Sequence, residues 1–168
     1  MSLFAIQFAK LLGCRVIATT SNGAKIDKLI ALGVDHVVNY AENPQWGQAV
    51  RELTGGRGAD LVVETSGPAT IEQSMRASAL YGQIVLLITA NGNKSSIEIS
   101  HDAYKSSLVT IRRIFVGNRA DLEAMNRAVS AHQMRPVIDR VFEFAETHDA
   151  FRYYLTGDAF GKVIIRID

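Results

Sequence analysis

The residues of this chain best placed for chemistry come just after short β-branched runs. Thr20-Ser21-Asn22-Gly23-Ala24-Lys25 follows Arg15–Thr20, a run that carries Val16, Ile17 and Thr19. In open α/β sheets, ligands bind at the carboxyl ends of the strands. Short hydroxyl and amide side chains at such an end, with Lys25 at the start of the next helix, combine donors, a cation and a helix N-terminus. Together these make an anion site. A ribose 2′-phosphate would fit it, and the Asp or Glu that would bind a ribose 2′-hydroxyl is missing. The same residues also read as a Ser/Asn helix cap followed by a solvated lysine.

Later strand ends carry similar residues. Tyr40, closing His36–Tyr40, supplies a hydroxyl and a flat face to an adenosine group, or else sits as a half-buried aromatic. Thr65-Ser66-Gly67-Pro68 follows Asp60–Thr65. Gly67 admits a ligand close to the backbone, or serves an ordinary strand-to-helix turn. Thr89-Ala90-Asn91-Gly92 and Val116-Gly117-Asn118-Arg119 follow the next two runs. Small residues at each of these ends suit a long ligand lying across a sheet edge.

A catalytic constellation is not legible. The chain has no G-x-S-x-G nucleophile elbow. Gly55-Gly56-Arg57-Gly58 lacks the Lys-Ser/Thr step of a phosphate-binding P-loop and leads into a strand. Glu64 and Glu72 make no evident acid/base pair. Cys14 is expected to be a packed thiol. It is the one cysteine, which excludes an internal disulfide and any multi-cysteine zinc site. His36, His101, His132 and His148 are scattered, with none at metal-ligand spacing. Chemistry would then belong to a bound cofactor or to residues outside the chain.

The elements that must position these residues alternate. Helices are expected at Ser2–Leu12, Ala24–Leu32, Pro44–Leu53, Pro68 to about Leu80, His101–Ser106, Asp121–His132 and Thr147–Leu155. Strands are expected at Arg15–Thr20, His36–Tyr40, Asp60–Thr65, Gln83–Thr89, Leu108–Val116, Val137–Phe142 and Lys162–Ile167. This order predicts βαβ units and a doubly wound, mostly parallel α/β sheet. The continuous Ile84–Ile88 run suits a sheet covered on both faces. The helix Ser2–Leu12 is apolar nearly all round, which predicts deep packing. Such domains normally open with a strand feeding a Gly-rich turn into that helix. Here the helix begins at residue 2, as though the chain started inside its first βαβ unit.

Composition sets the limits. At 168 residues the chain has the size of one domain. Its 48% hydrophobic and 21% charged residues separate it from disordered chains. A net charge of +1 argues against nucleic-acid or membrane-surface binding by bulk charge. The longest apolar run has five residues, where a membrane span needs about 20. A cytoplasmic protein is expected.

In order and spacing, several stretches resemble the C-terminal cofactor domain of medium-chain dehydrogenase/reductases, the zinc-type alcohol dehydrogenase and quinone oxidoreductase group. They are Ala5-Ile6-Gln7-Phe8-Ala9-Lys10, Arg15-Val16-Ile17-Ala18-Thr19, Leu32 through Tyr40, Glu52 through Asp60, Arg135 through Phe142, and Phe160-Gly161-Lys162-Val163-Ile164-Ile165. The resemblance implies a Rossmann-like dinucleotide-binding domain over 1–168. It implies the cofactor half of an oxidoreductase moving hydride to or from an alcohol, aldehyde, ketone or quinone. NADP(H) is the implied cofactor, with Ser21, Lys25 and Tyr40 on its 2′-phosphate. Thr65 and Gly67 would lie along it, and Thr89, Val116 and Gly117 would present backbone near the nicotinamide. No catalytic or metal-binding residue is assigned, and zinc is not expected on this chain.

The resemblance also sets out what is missing. The first strand, the Gly-rich turn and the N-terminal catalytic domain would all precede Met1, as in a truncated chain or a reading frame begun late. The chain alone would then be inactive. Without that central strand, a gap of about 9–10 Å would separate Arg15–Thr20 from Asp60–Thr65. Either these strands close up or another chain fills the slot. Family members pair through an edge strand, here near Val109–Phe115, so a homodimer is expected. The alternative is a non-catalytic nucleotide-binding or interaction module that keeps the fold.

Overall fold

The computed structural model describes residues 1–87 and 96–167. Thr89 and Ile88 lie outside the described residues. The chain divides into two compact units, Met1–Asn118 and Arg119–Asp168.

The first unit opens with α1 (Ser2–Leu11). Gly13, at φ +74°, turns the chain toward β1 (Ile17–Thr20). After α2 (Ile26–Ala31) comes β2 (His36–Asn39), which pairs in parallel with β1 from Ile17↔His36 to Thr20↔Asn39. The helix α3 (Trp46–Leu53) leads to β3 (Ala59–Glu64), and α4 (Ile71–Ala77) leads to β4 (Ser78–Leu86). The short α5 (His101–Ser106) precedes β5 (Thr110–Arg113). All pairings are parallel, in a two-stranded sheet β1-β2 and a three-stranded sheet β3-β4-β5. Parallel strands joined through intervening helices are the doubly wound pattern.

The core follows from helical and strand periodicity. Trp46, Val50 and Leu53 share one face of α3 and pack with Val38, Ala77, Ile17 and Ala59. Gly47 lets α3 lie against α4, because a Cβ there would stand 2.7 Å from the Gln73 carbonyl. Ile71 and Met75, one turn apart on α4, meet the alternate residues Ile84 and Leu86 of β4. Ile84 is fully buried, which contributes about 1.5–3 kcal/mol. Arg51 ties the layers together by donating to the carbonyls of Arg76 and Ser78, each at 2.7 Å.

Four sequence expectations need correction. In α1 only Ile6 is buried, while Leu3, Phe4, Phe8 and Leu11 are half-buried. Among the described residues β1 hydrogen-bonds to β2 and β3 to β4, so of the two expected alternatives the closing of β1 on β3 does not occur. The helix expected to reach Leu80 stops at Ala77, because Ser78 pairs with Ala59 and starts β4. Tyr81, at φ +61°, then bulges the strand so that pairing resumes at Leu61↔Gln83. Cys14 is exposed, not packed, since it lies in the surface turn after Gly13. The sheet is also covered unevenly: Ile84 and Leu86 are buried, whereas Leu61 and Val63 on the other face are exposed.

The second unit holds α6 (Arg119–Ala131), β6 (Ile138–Glu143), α7 (Thr147–Leu155) and β7 (Lys162–Arg166). β6 and β7 pair in parallel. Phe142 and Ala150 are its buried apolar residues. The Tyr153 hydroxyl donates to Asp139, and that bond holds its pKa above the ordinary phenol value.

Candidate functional site

Seven of the eight residues singled out from the sequence fall at or just past the carboxyl ends of parallel strands in the first unit. The Tyr40 N–H donates to the Thr20 carbonyl at 2.9 Å, extending the β1-β2 ladder by one step. Ser21 and Tyr40 therefore leave the sheet side by side. Thr20 is buried and its Oγ1 accepts from the Asn22 N–H at 3.1 Å. Asn22 Oδ1 in turn accepts from the Ala24 N–H at 2.9 Å, and the Asn22 carbonyl accepts from the Lys25 N–H. These bonds close a 3₁₀ turn, Gly23–Lys25. The capping reading of Asn22 is thus correct, and it coexists with an exposed Ser21 and a half-buried Lys25. Across the ladder, Asn39 fixes the next turn by accepting from the Ala41 N–H and donating to Glu42. Tyr40 remains 40% exposed beside it.

At the end of β3 the chain bends sharply. Gly67 is buried at φ +76°. Glu64, on the last position of β3, is 4% exposed and accepts from the Ser66 N–H at 2.7 Å and the Gly67 N–H at 3.0 Å. The next residue, Thr65, faces the other way. Its hydroxyl oxygen lies 3.1 Å from that of Ser2, the first residue of α1. The start of α1 has no side-chain cap and no acidic residue in its first turn. The Phe4 and Ala5 N–H groups donate to the Met1 carbonyl at 3.0 and 3.2 Å, and no acidic side chain offsets the positive end of the helix dipole in that first turn.

Val116 and Gly117 lie past the end of β5 and are exposed, Val116 at 80%. The Ile114 N–H donates to the Leu86 carbonyl, so this segment leaves beside the end of β4. A groove of about 580 Å³ lies elsewhere: Gln45, Gln48, Arg51, Met75, Arg76, Leu80 and Ser106 line it on the helix layer. Its two guanidinium groups are committed, Arg51 to backbone carbonyls and Arg76 to Glu72. Among the described residues no group of three or more His, Cys, Asp or Glu could hold a metal ion.

Residues 1–131 match the family model described as zinc-binding dehydrogenase. The chain belongs to the zinc-binding dehydrogenase family. Its whole length aligns at 31% identity with a zinc-type alcohol dehydrogenase-like protein of Schizosaccharomyces pombe, covering 49% of that protein. A solved structure from Sinorhizobium meliloti, assigned as an alcohol dehydrogenase, superimposes with TM-score 0.89 at 36% identity. It is covered to 48% by 99% of this chain. A solved NAD-dependent alcohol dehydrogenase superimposes with TM-score 0.86 at 32% identity, again over 99% of this chain and 48% of its own. The chain thus spans about half the length of the relatives it matches, and the Rossmann-like fold is theirs.

Within this zinc-binding dehydrogenase domain, Glu64 read from the sequence as an acid without an acid/base partner and received no role. Its spacing to Gly67 was visible, but a lone acidic residue in an apolar strand carries no sign of its four hydrogen-bond partners. No comparable sequence signal marked Ser2.

Proposed function

We propose that this chain is the dinucleotide-binding domain of an NADPH-dependent oxidoreductase acting on an alcohol, aldehyde, ketone or quinone. The observation that supports it best is the end of the β1-β2 ladder. Ser21 and Tyr40 emerge together there, Lys25 closes the following turn, and Ser21 stands where a carboxylate would select the unphosphorylated ribose. These residues fit a ribose 2′-phosphate: a hydroxyl donor, an ammonium and an exposed phenol beside a helix start. The NAD-dependent relative keeps the other cofactor open as the outcome to test against.

When bound, the nicotinamide supplies the hydride chemistry. The chain's own residues bind and orient it. Ser21, Lys25 and Tyr40 hold the 2′-phosphate end. The positive end of the α1 dipole favours the diphosphate. Thr65 and Gly67 lie along the dinucleotide, Gly67 because a side chain would stand between ligand and backbone. Val116 and Gly117 direct backbone groups to the nicotinamide end. The protein works in the cytoplasm as a homodimer through β5, whose charged Arg112 and Arg113 restrain indiscriminate strand pairing.

The test is a titration of the 168-residue chain with NADPH and with NADH, followed by nicotinamide fluorescence and repeated on Lys25→Ala. Saturable binding that favours NADPH and weakens in the variant supports the reading. Equal affinity for both cofactors, unchanged in the variant, overturns the NADPH assignment. No binding of either at millimolar concentration removes the cofactor role from this chain.

A further inference from the structure

We propose that Glu64 is a positioning residue for the dinucleotide, acting through Thr65; this rests on the reading above. Glu64 is a buried carboxylate with four donors and no cation among them. Oε1 accepts from the Ser66 N–H at 2.7 Å, the Gly67 N–H at 3.0 Å and the Thr70 hydroxyl at 2.9 Å. Oε2 accepts from the Ser74 hydroxyl at 2.5 Å. One side chain thus fastens the end of β3, the bend at Gly67 and the first turn of α4. Bonds from backbone N–H groups to a carboxylate are the strong and directional kind.

Packing alone does not call for this arrangement. The neighbouring face of β3-β4 is filled by Val62, Ile84 and Leu86, and an apolar side chain at 64 would continue it. Burying a carboxylate is costly unless its oxygens are fully bonded. What the carboxylate adds is a defined shape for Thr65-Ser66-Gly67. Side chains alternate across a strand, so holding Glu64 against Thr70 and Ser74 turns Thr65 to the opposite face. There its hydroxyl meets Ser2 at the start of α1. In the proposed function this is where the dinucleotide crosses. Glu64 itself stays behind the turn and touches no ligand.

The substitutions Glu64→Gln, Glu64→Ala and Thr65→Val separate this role from general stability. Glu64→Gln keeps one oxygen for both turn amides, and the Ser74 hydroxyl can reverse to accept from the new amide. NADPH affinity should stay within about threefold of the original chain. Glu64→Ala strands two N–H groups and two hydroxyls, and affinity should fall about tenfold or more while far-ultraviolet dichroism is unchanged. Because Glu64 acts through Thr65, adding Glu64→Ala to Thr65→Val should cost less than about twofold more. Additive losses, or full affinity in Glu64→Ala, overturn the proposal. If Glu64→Ala does not fold, Glu64→Asp replaces it: the shorter side chain cannot reach both the turn amides and Ser74, and the same losses are expected.

A second readout needs no cofactor. Nuclear Overhauser contacts between the Ser2 and Thr65 side chains should persist in Glu64→Gln and vanish in Glu64→Ala or Glu64→Asp. If the unaltered chain binds neither cofactor, the proposed function falls, and these contacts still decide whether Glu64 positions Thr65. Their survival in the disrupted variants overturns the positioning role.

Discussion

The hydroxyl oxygens of Ser2 and Thr65 stand 3.1 Å apart, joining the first residue of α1 to the residue after β3. The contact places an uncapped helix start against the carboxyl end of a parallel strand. It does so although β1, the strand that follows α1, shares no ladder with β3. As an exposed hydrogen bond it is worth about 0.5–1.5 kcal/mol at most. Thr65→Val should therefore leave the urea midpoint nearly unchanged while weakening NADPH binding about tenfold by titration. A large loss of stability without a binding change would place Thr65 in the framework instead.

Selectivity should turn on Ser21. Ser21→Asp puts a carboxylate where it accepts from a ribose 2′-hydroxyl and repels a 2′-phosphate. NADPH affinity should drop by about tenfold and NADH affinity should hold or rise. Parallel fluorescence titrations measure the ratio. An unchanged ratio means that the 2′ position lies away from this strand end.

Two glycines with left-handed backbone test close approach against conformation. At Gly58, φ +91°, a Cβ would lie 2.6 Å from the Ser78 carbonyl carbon and oxygen. At Gly55, φ +66°, it would meet nothing within 4 Å. Gly55→Ala should cost about 1–2 kcal/mol for the backbone alone. Gly58→Ala should cost clearly more, because β3 and β4 must separate to admit the methyl group. Equal costs in urea unfolding would mean that the strands shift freely there.

Core and exposed positions on one sheet should differ as their burial does. Ile84→Ala opens a cavity under α4 and should cost about 2–5 kcal/mol. Val63→Ala, 39% exposed on the opposite face, should cost less than about 1 kcal/mol. Chemical denaturation of both variants measures the contrast, and similar losses would show that the outer face is covered in solution.

Asp35 links stability to pH. Its carboxylate accepts from Lys10 at 2.9 Å and from the Val16 N–H at 2.7 Å. The Lys10 hydrogen bond first, then that of Val16, holds its pKa below the ordinary 3.8. A carboxylate with a lowered folded pKa stabilises the fold fully above its unfolded value. That contribution fades as pH falls from about 3.8 through the lower folded value. Side-chain carbon NMR should show a midpoint below 3.8, moving upward in Lys10→Ala. A midpoint that ignores Lys10 would mean that the ion pair does not persist in solution.

The sequence by itself determined the alternation of helices and strands, and with it the parallel sheets and the strand ends where Ser21, Lys25, Tyr40, Thr65, Gly67, Val116 and Gly117 stand. Those features depend on local periodicity, on β-branched runs and on glycine turns, all of which are written within ten residues or so. The tertiary structure decided what depends on distant partners. Ser78 left the helix because Ala59, far back in the chain, offered it a strand partner. The apolar residues of α1 are half-buried apart from Ile6, because burial is set by what packs on a helix and not by its own apolar composition. Glu64 became the centre of a turn because Thr70 and Ser74 fold back onto it, and Thr65 met Ser2 across 63 residues of sequence. Hydrogen-bond partners of a buried carboxylate are set by where the chain returns, and no spacing within β3 carries that information.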